Sequence, residues 1–304
     1  MTANYTQAIK KGYMSKDSAP DLSFTGCYIK KYPNRTKDLD TFKAVIGRNS
    51  IRWQDLTERT LKEYRDSVME RVTANTARTI FARIKSVLND MRGEVNLPTN
   101  RYAEILKAKQ EPSQSVFLTE SEVAMLEGVE PKDEKEKYVK CIYLMEVYCG
   151  ARHSDILSLT EDNIKTVYDA DGNERRYISY VSQKTSIQAD IPLHRNFLNC
   201  MRGYDKNMTM YDYEFNNVLR ELCKRAGINE RTKIYRRGEW QEGEKWEFVT
   251  THVGRKSFCS ELYLRGVDSR TISKMAGHSN SQMTEQRYII PMRSLSDKAM
   301  AFFN

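Results

Sequence analysis

The stretch Gln110–Ser115, QEPSQS, is polar and carries Pro112, and it divides two long, regularly patterned regions. Proline lacks an amide hydrogen and holds the preceding residue away from helical angles, so no helix runs through this point. Thr119-x-x-Glu122 follows at once, the spacing of a capping box in which each residue satisfies the other's free amide. The chain is therefore expected to fold as separate parts: a polar tail over 1–20, a helical domain over 21–109, a linker over 110–116 and a second domain over 117–304. At 304 residues, two domains with cores of their own are affordable in length.

Charge follows the same division. Residues 1 to 110 hold 21 Lys/Arg against 12 Asp/Glu, which leaves 28 against 29 for the rest, so the net charge of +8 belongs to the first third. A basic domain joined to a near-neutral one points to a polyanion held mainly by the first, with chosen cations supplied by the second. The amino-terminal residues lack the apolar core of a signal peptide, and no apolar run approaches membrane-spanning length, so a cytoplasmic protein without a membrane partner is expected. Six cysteines include no CxxC pair and read as buried reduced thiols.

In the first domain, Leu39, Phe42, Val45 and Ile46 form one apolar set and Leu61, Tyr64 and Val68 another, with Thr57 placed to cap the second helix. Asn75 to Arg92 predicts the most informative helix. Ile80, Ile84, Val87 and Met91 share one face, while Arg78, Lys85 and Arg92 recur every seven residues on the other. A solvated basic face and a face for DNA phosphates both fit that pattern; the regional charge favours the second.

In the second domain, Val139, Ile142, Leu144, Met145, Val147 and Tyr148 predict an apolar helix stopped by Gly150, leading into Ala151-Arg152-His153-Ser154-Asp155. Tyr177 to His194 alternates like strands after the turn Asp171-Gly172-Asn173, which puts Lys184, Thr185 and Ser186 near a hairpin tip between Ile178–Gln183 and Ala189–Leu193. Arg236 to Phe248 reads as a second hairpin across which Trp240 and Trp246 pack. From Thr250, His252 and Arg255 lie one helical turn apart, Gly266 stops that helix, Asp268 or Ser269 caps another, and Gly277 ends it just before His278. Gln282 to Tyr288 can add a last turn or two of helix, and Leu295, Ala299, Met300, Phe302 and Phe303 give the tail an apolar face for its own domain or a neighbouring protomer.

The sequence Gly150-x-Arg152-x-x-Asp155, then Lys184, His252-x-x-Arg255, Gly277-His278 and Tyr288, resembles the boxes of the tyrosine recombinases, the phage integrase family of DNA strand-exchange enzymes. Each box is short, but their order from 150 to 288 is specific together. The chain departs in one added residue between His278 and the tyrosine, and in Lys256, where the family often has histidine or arginine.

The resemblance implies a mainly α protein with a small β-sheet and hairpins, in which an all-α DNA core-binding domain precedes a mixed α+β catalytic domain. It implies that Tyr288 attacks a DNA phosphodiester and forms a 3′-phosphotyrosine while Arg152 and Arg255 clamp the phosphate. His252 would take or orient the phenolic proton, Lys184 would protonate the leaving 5′ oxygen, His278 would donate a hydrogen bond to the phosphate, and Asp155 would hold Arg152 or its turn. The expected partners are double-stranded DNA, further copies of the chain in a tetrameric synapse on two sites, and accessory DNA-bending proteins. Exchange of one phosphoester for another calls for no cofactor or metal, and the sequence contains no GxxxxGK[ST] loop. A non-catalytic DNA-binding regulator with this fold, or a type IB topoisomerase-like enzyme, are the alternatives.

Overall fold

The computed structural model describes residues 22–111 and 113–278, together with Gln282 and Glu285. The chain divides into two compact units, with the main break in sequence between Ser113 and Gln114 and with Arg237–Glu239 grouped with the first unit. Among the described residues, no helix is long and apolar enough to cross a membrane.

The first unit is helical. It contains α1 (Phe24–Lys31), α2 (Asp40–Ile46), α3 (Glu58–Arg71), α4 (Ala74–Asp90) and the single turn α5 (Tyr102–Ile105). Thr57 and Thr73 start α3 and α4 by accepting amide hydrogens from Thr60 and Thr76. Their apolar faces enclose an aromatic centre in which Phe42 stacks on Tyr64, with ring centroids 3.6 Å apart.

On α4 the buried face is Ala77, Phe81, Ile84, Val87 and Leu88, with Ile80 only half-buried. The helix ends at Asp90, so Arg92 stands in the following turn and not on the helix with Arg78 and Lys85. Arg78 is exposed and Lys85 half-buried. Burial lowers the Lys85 pKa, and the nearby Lys107 and Arg78 lower it further.

The second unit is built around α7 (Glu134–Cys149), which follows the short α6 (Glu120–Glu127) and is capped by Asp133. Residues around much of the circumference of α7, from Tyr138 and Val139 to Met145 and Cys149, are buried. A helix apolar on most sides must be covered by neighbours. Here α9 (Phe197–Arg202), α10 (Asp212–Arg225) and α11 (Thr251–Leu264) pack onto it. One turn, α8 (His153–Ile156), follows α7, and α12 (Ser269–Met275) follows α11 after Gly266 and the Asp268 cap.

A three-stranded antiparallel sheet has the order β1 (Ile164–Tyr168), β2 (Glu174–Val181), β3 (Gln188–Pro192), with Ile178 opposite Ile191. β1 was not among the expected strands. Only Ile164 in it is even partly buried, so an edge strand exposed at Lys165 to Tyr168 gives no alternation to read. The second hairpin starts earlier than expected, as β4 (Arg231–Arg236) and β5 (Glu239–Glu244). Trp240 packs edge-on against Tyr235 and under Lys233. Trp246 lies beyond the hairpin in a 3-10 turn, beneath Lys224, so the two indoles serve different surroundings.

Candidate active site

The site starts from the end of α7. Gly150 takes φ +66°, and a Cβ there would stand 2.2 Å from Cδ1 of Phe258, so both backbone and space demand glycine. Its carbonyl oxygen accepts a hydrogen bond of 2.8 Å from Nη1 of Arg255 on α11. That bond ties the second arginine box to the turn that carries the first. Among the described residues Arg255 is the largest fully buried side chain, at 1% exposure.

Arg152, two residues on, starts α8 as its N-cap. Its Nη1 donates to Oγ of Ser182 at 2.6 Å, and Nη2 donates to the Gly277 carbonyl at 3.4 Å. Asp155 lies 3.9 Å from Arg152 Nη1, and its closer contacts are with the β-turn: Ser182 Oγ donates to Oδ2 at 2.9 Å and the Gln183 amide to Oδ1 at 3.0 Å. Asp155 thus fixes the backbone next to Lys184, and through Ser182 it meets Arg152. Sequence reasoning missed Ser182, a small hydroxyl at the end of a strand with no distinguishing spacing.

Lys184 is exposed in the turn from β2 to β3. The turn is closed by Ser186 N–H to Ser182 O at 2.8 Å and Ser182 N–H to Ile187 O at 2.9 Å. Ser186 takes φ +53° to close it. Thr185 Oγ1 donates to Gly277 O at 3.1 Å, so the lysine turn and Arg152 share one carbonyl acceptor.

Gly277 takes φ +61°, and its ideal Cβ would lie 3.5 Å from Cβ of Ser182. His278, 5% exposed, is set by its amide donating to Ser273 O at 2.9 Å. His252 is exposed in the first turn of α11, whose start is held by Asn216 of α10 accepting the Thr251 amide at 2.9 Å.

Four segments far apart in sequence therefore meet: the Gly150–Asp155 turn, the β2–β3 turn, the buried face of α11 and the Gly277–His278 end of α12. Arg152, Lys184 and His252 reach the surface, whereas Arg255 and His278 lie beneath it. Tyr288 and the apolar tail lie outside the described residues. In the other unit, Arg78 and Lys85 stay on α4 while Arg92 leaves it.

Arg255 is bonded to the carbonyl two residues before Arg152, and a pair of guanidinium groups held on one turn suits an anion such as a phosphodiester. A model of the phage integrase family matches residues 116–292. No curated protein matches the chain. Among solved structures, the Tn1549 transposon integrase in complex with a circular intermediate DNA is similar at 14% identity and a TM-score of 0.57, over 93% of this chain and 99% of that chain. A lambda integrase fragment, as a dimer bound to a COC′ core site, gives 16% identity and a TM-score of 0.60 over 88% and 94%. The XerH site-specific recombinase bound to a palindromic difH substrate gives 11% and 0.59 over 88% and 79%. At these identities the likeness is one of fold.

Proposed function

Because the chain belongs to the phage integrase family, we propose that it is an active site-specific DNA recombinase that cleaves and rejoins duplex DNA through a 3′-phosphotyrosine at Tyr288. One observation carries the reading: Arg152 and the Lys184 turn donate to the same Gly277 carbonyl, while Arg255 donates to Gly150 two residues before Arg152. Those bonds link the stretches around Arg152, Lys184, Arg255 and Gly277, far apart in sequence.

In this reading the phenolic oxygen of Tyr288 attacks phosphorus and the bond to the 5′ oxygen breaks. Attack adds negative charge to the non-bridging oxygens. Two preorganised guanidinium forks stabilise that charge more than they stabilise the ground state. His252, exposed at the start of α11, receives the phenolic proton, and Lys184, on its exposed turn, protonates the departing 5′ oxygen. His278 donates to a phosphate oxygen. Rejoining is the same step reversed with a hydroxyl from a second duplex, which calls for copies of the chain paired on two sites. The linker at 110–116 then joins a DNA-gripping domain to the catalytic one, and Arg78, Lys85 and Arg92 serve the grip.

Nicked duplexes that trap the cleaved strand test the reading. Wild-type protein is expected to form an SDS-resistant adduct and to exchange strands between two sites, and Tyr288→Phe to bind DNA without an adduct. Binding without any wild-type adduct would favour a regulator. Relaxation of supercoils without exchange between sites would favour a topoisomerase.

A further inference from the structure

Inside α7, where nearly every buried neighbour is apolar, stands Glu146 at 1% exposure. Burying a carboxyl costs free energy unless its position is used. Its Oε1 lies 2.5 Å from Nδ1 of His153, the residue directly after Arg152. Among the described residues Oε2 has no hydrogen-bond partner. The contact spans the left-handed turn at Gly150, whose amide donates to the Glu146 carbonyl at 2.8 Å. One residue thus holds the turn by its backbone on the near side and by its side chain on the far side.

The opposite face of Glu146 meets α11 at Gly254, the residue before Arg255. A Cβ on Gly254 would come within 3.0 Å of Glu146 Cβ and 3.1 Å of Oε2. Glycine inside a helix is less favourable than alanine, so its presence there matches the space that the carboxyl fills. Glu146 therefore touches the carriers of both arginines: His153 beside Arg152, and Gly254 beside Arg255. Phe215 of α10 packs edge-on against the His153 ring at 4.7 Å and fixes its plane.

Both groups of the pair hold a proton more readily than usual. Burial pushes the Glu146 carboxyl up to about 7, against the hydrogen bond and charge of His153. Burial alone would lower His153, but the Glu146 hydrogen bond and charge, with Asp212 of α10, raise it. Burial keeps the adjoining Tyr143 phenol and Cys149 thiol neutral, the latter pushed up to about 12.

We propose that Glu146 and His153 are positioning residues for DNA cleavage, a strut that holds the Arg152 turn in register with the Arg255 helix. The inference rests on the reading that these two arginines clamp the scissile phosphate. The strut touches no substrate. It sets the distance between two forks that must meet one phosphate, and a shift near 1 Å in such an arrangement can cost about a hundredfold in rate.

The test measures single-turnover cleavage of a nicked trapping duplex at saturating DNA, with affinity by gel shift and melting temperature alongside. Glu146→Ala and His153→Ala are each expected to slow cleavage about tenfold or more with affinity unchanged, and the double variant to add little, because the two act as a unit. Glu146→Gln, which keeps the size and an oxygen acceptor for Nδ1–H, is expected to stay near the wild-type rate. His153→Ala leaves the interior of α7 intact and serves if Glu146→Ala fails to fold. A second duplex carries a neutral methylphosphonate at the scissile position, which needs less from the guanidinium forks, so the deficit of either variant is expected to shrink on it. Wild-type rates in both alanine variants, or an equal deficit on both duplexes, would overturn the strut while leaving the proposed function intact. Absence of any wild-type adduct would overturn both.

Discussion

Arg255 is a buried structural anchor and, in the proposed mechanism, also one arm of the phosphate clamp. One nitrogen of its fork is bonded to the Gly150 carbonyl, which leaves the group oriented before any DNA arrives. Lysine at this position would keep the charge and lose the planar fork, so Arg255→Lys and Arg152→Lys are each expected to lower cleavage by about 10²–10³. Duplex affinity should change far less, and a rate ratio below about tenfold would argue against a two-fork clamp. Lys256, next in the chain, does different work. It is 3% exposed and its Nζ donates to the Ser115 carbonyl.

Burial lowers the Lys256 pKa to about 8. Between there and the ordinary lysine value of about 10.4, the unfolded chain holds the extra proton and the folded one does not. Its contribution to stability therefore rises with pH through that window and is lost as pH falls through about 8. Urea unfolding of wild type minus Lys256→Met should grow by about 2 kcal/mol from pH 7.5 to 9.5. A difference that stays flat would place the ammonium in water. Sequence showed Lys256 only as a departure from a family pattern, because its partner is a backbone carbonyl 141 positions away.

At the scale of elements, the legible features were those whose cause is local. The Thr119–Glu122 capping box, the Thr57 and Asp268 caps, and the stops at Gly150, Gly266 and Gly277 each depend on a few neighbouring residues, and each stands where the sequence indicates. Gly150 also has a cause that no local pattern carries, the ring of Phe258 standing where a Cβ would go. Gly150→Ala combines a left-handed backbone with that overlap and is expected to cost about 2–4 kcal/mol, read as a fall in melting temperature and loss of cleavage. Unchanged melting would mean the turn relaxes freely. What sequence did not reveal was the exposed edge β1, and Ser182, whose importance comes from standing between Arg152 and Asp155 after folding.

Across the whole molecule the uneven charge is what motivates the proposed DNA grip. Arg78 and Lys85 share α4, and Lys107 and Arg78 both lie near enough to Lys85 to lower its pKa. Arg78→Ala, Lys85→Ala and Lys107→Ala should each weaken binding to unrelated sequences alike and reduce the salt slope by about 1, measured by titration across salt concentrations. Unaltered slopes in all three would leave α4 a solvated face. The mixed helical and β character was readable from the change of period in the sequence. Arg92 was misread as part of the α4 stripe because its seven-residue spacing continues past the point where the helix stops.

The most direct measurement digests the covalent protein–DNA adduct and sequences the modified peptide by mass spectrometry. The account predicts a 3′-phosphate of the cleaved strand esterified to Tyr288, with a free 5′-hydroxyl on the other fragment. Attachment at another side chain, a 5′-phosphate linkage, or no adduct from protein that binds the duplex would contradict it.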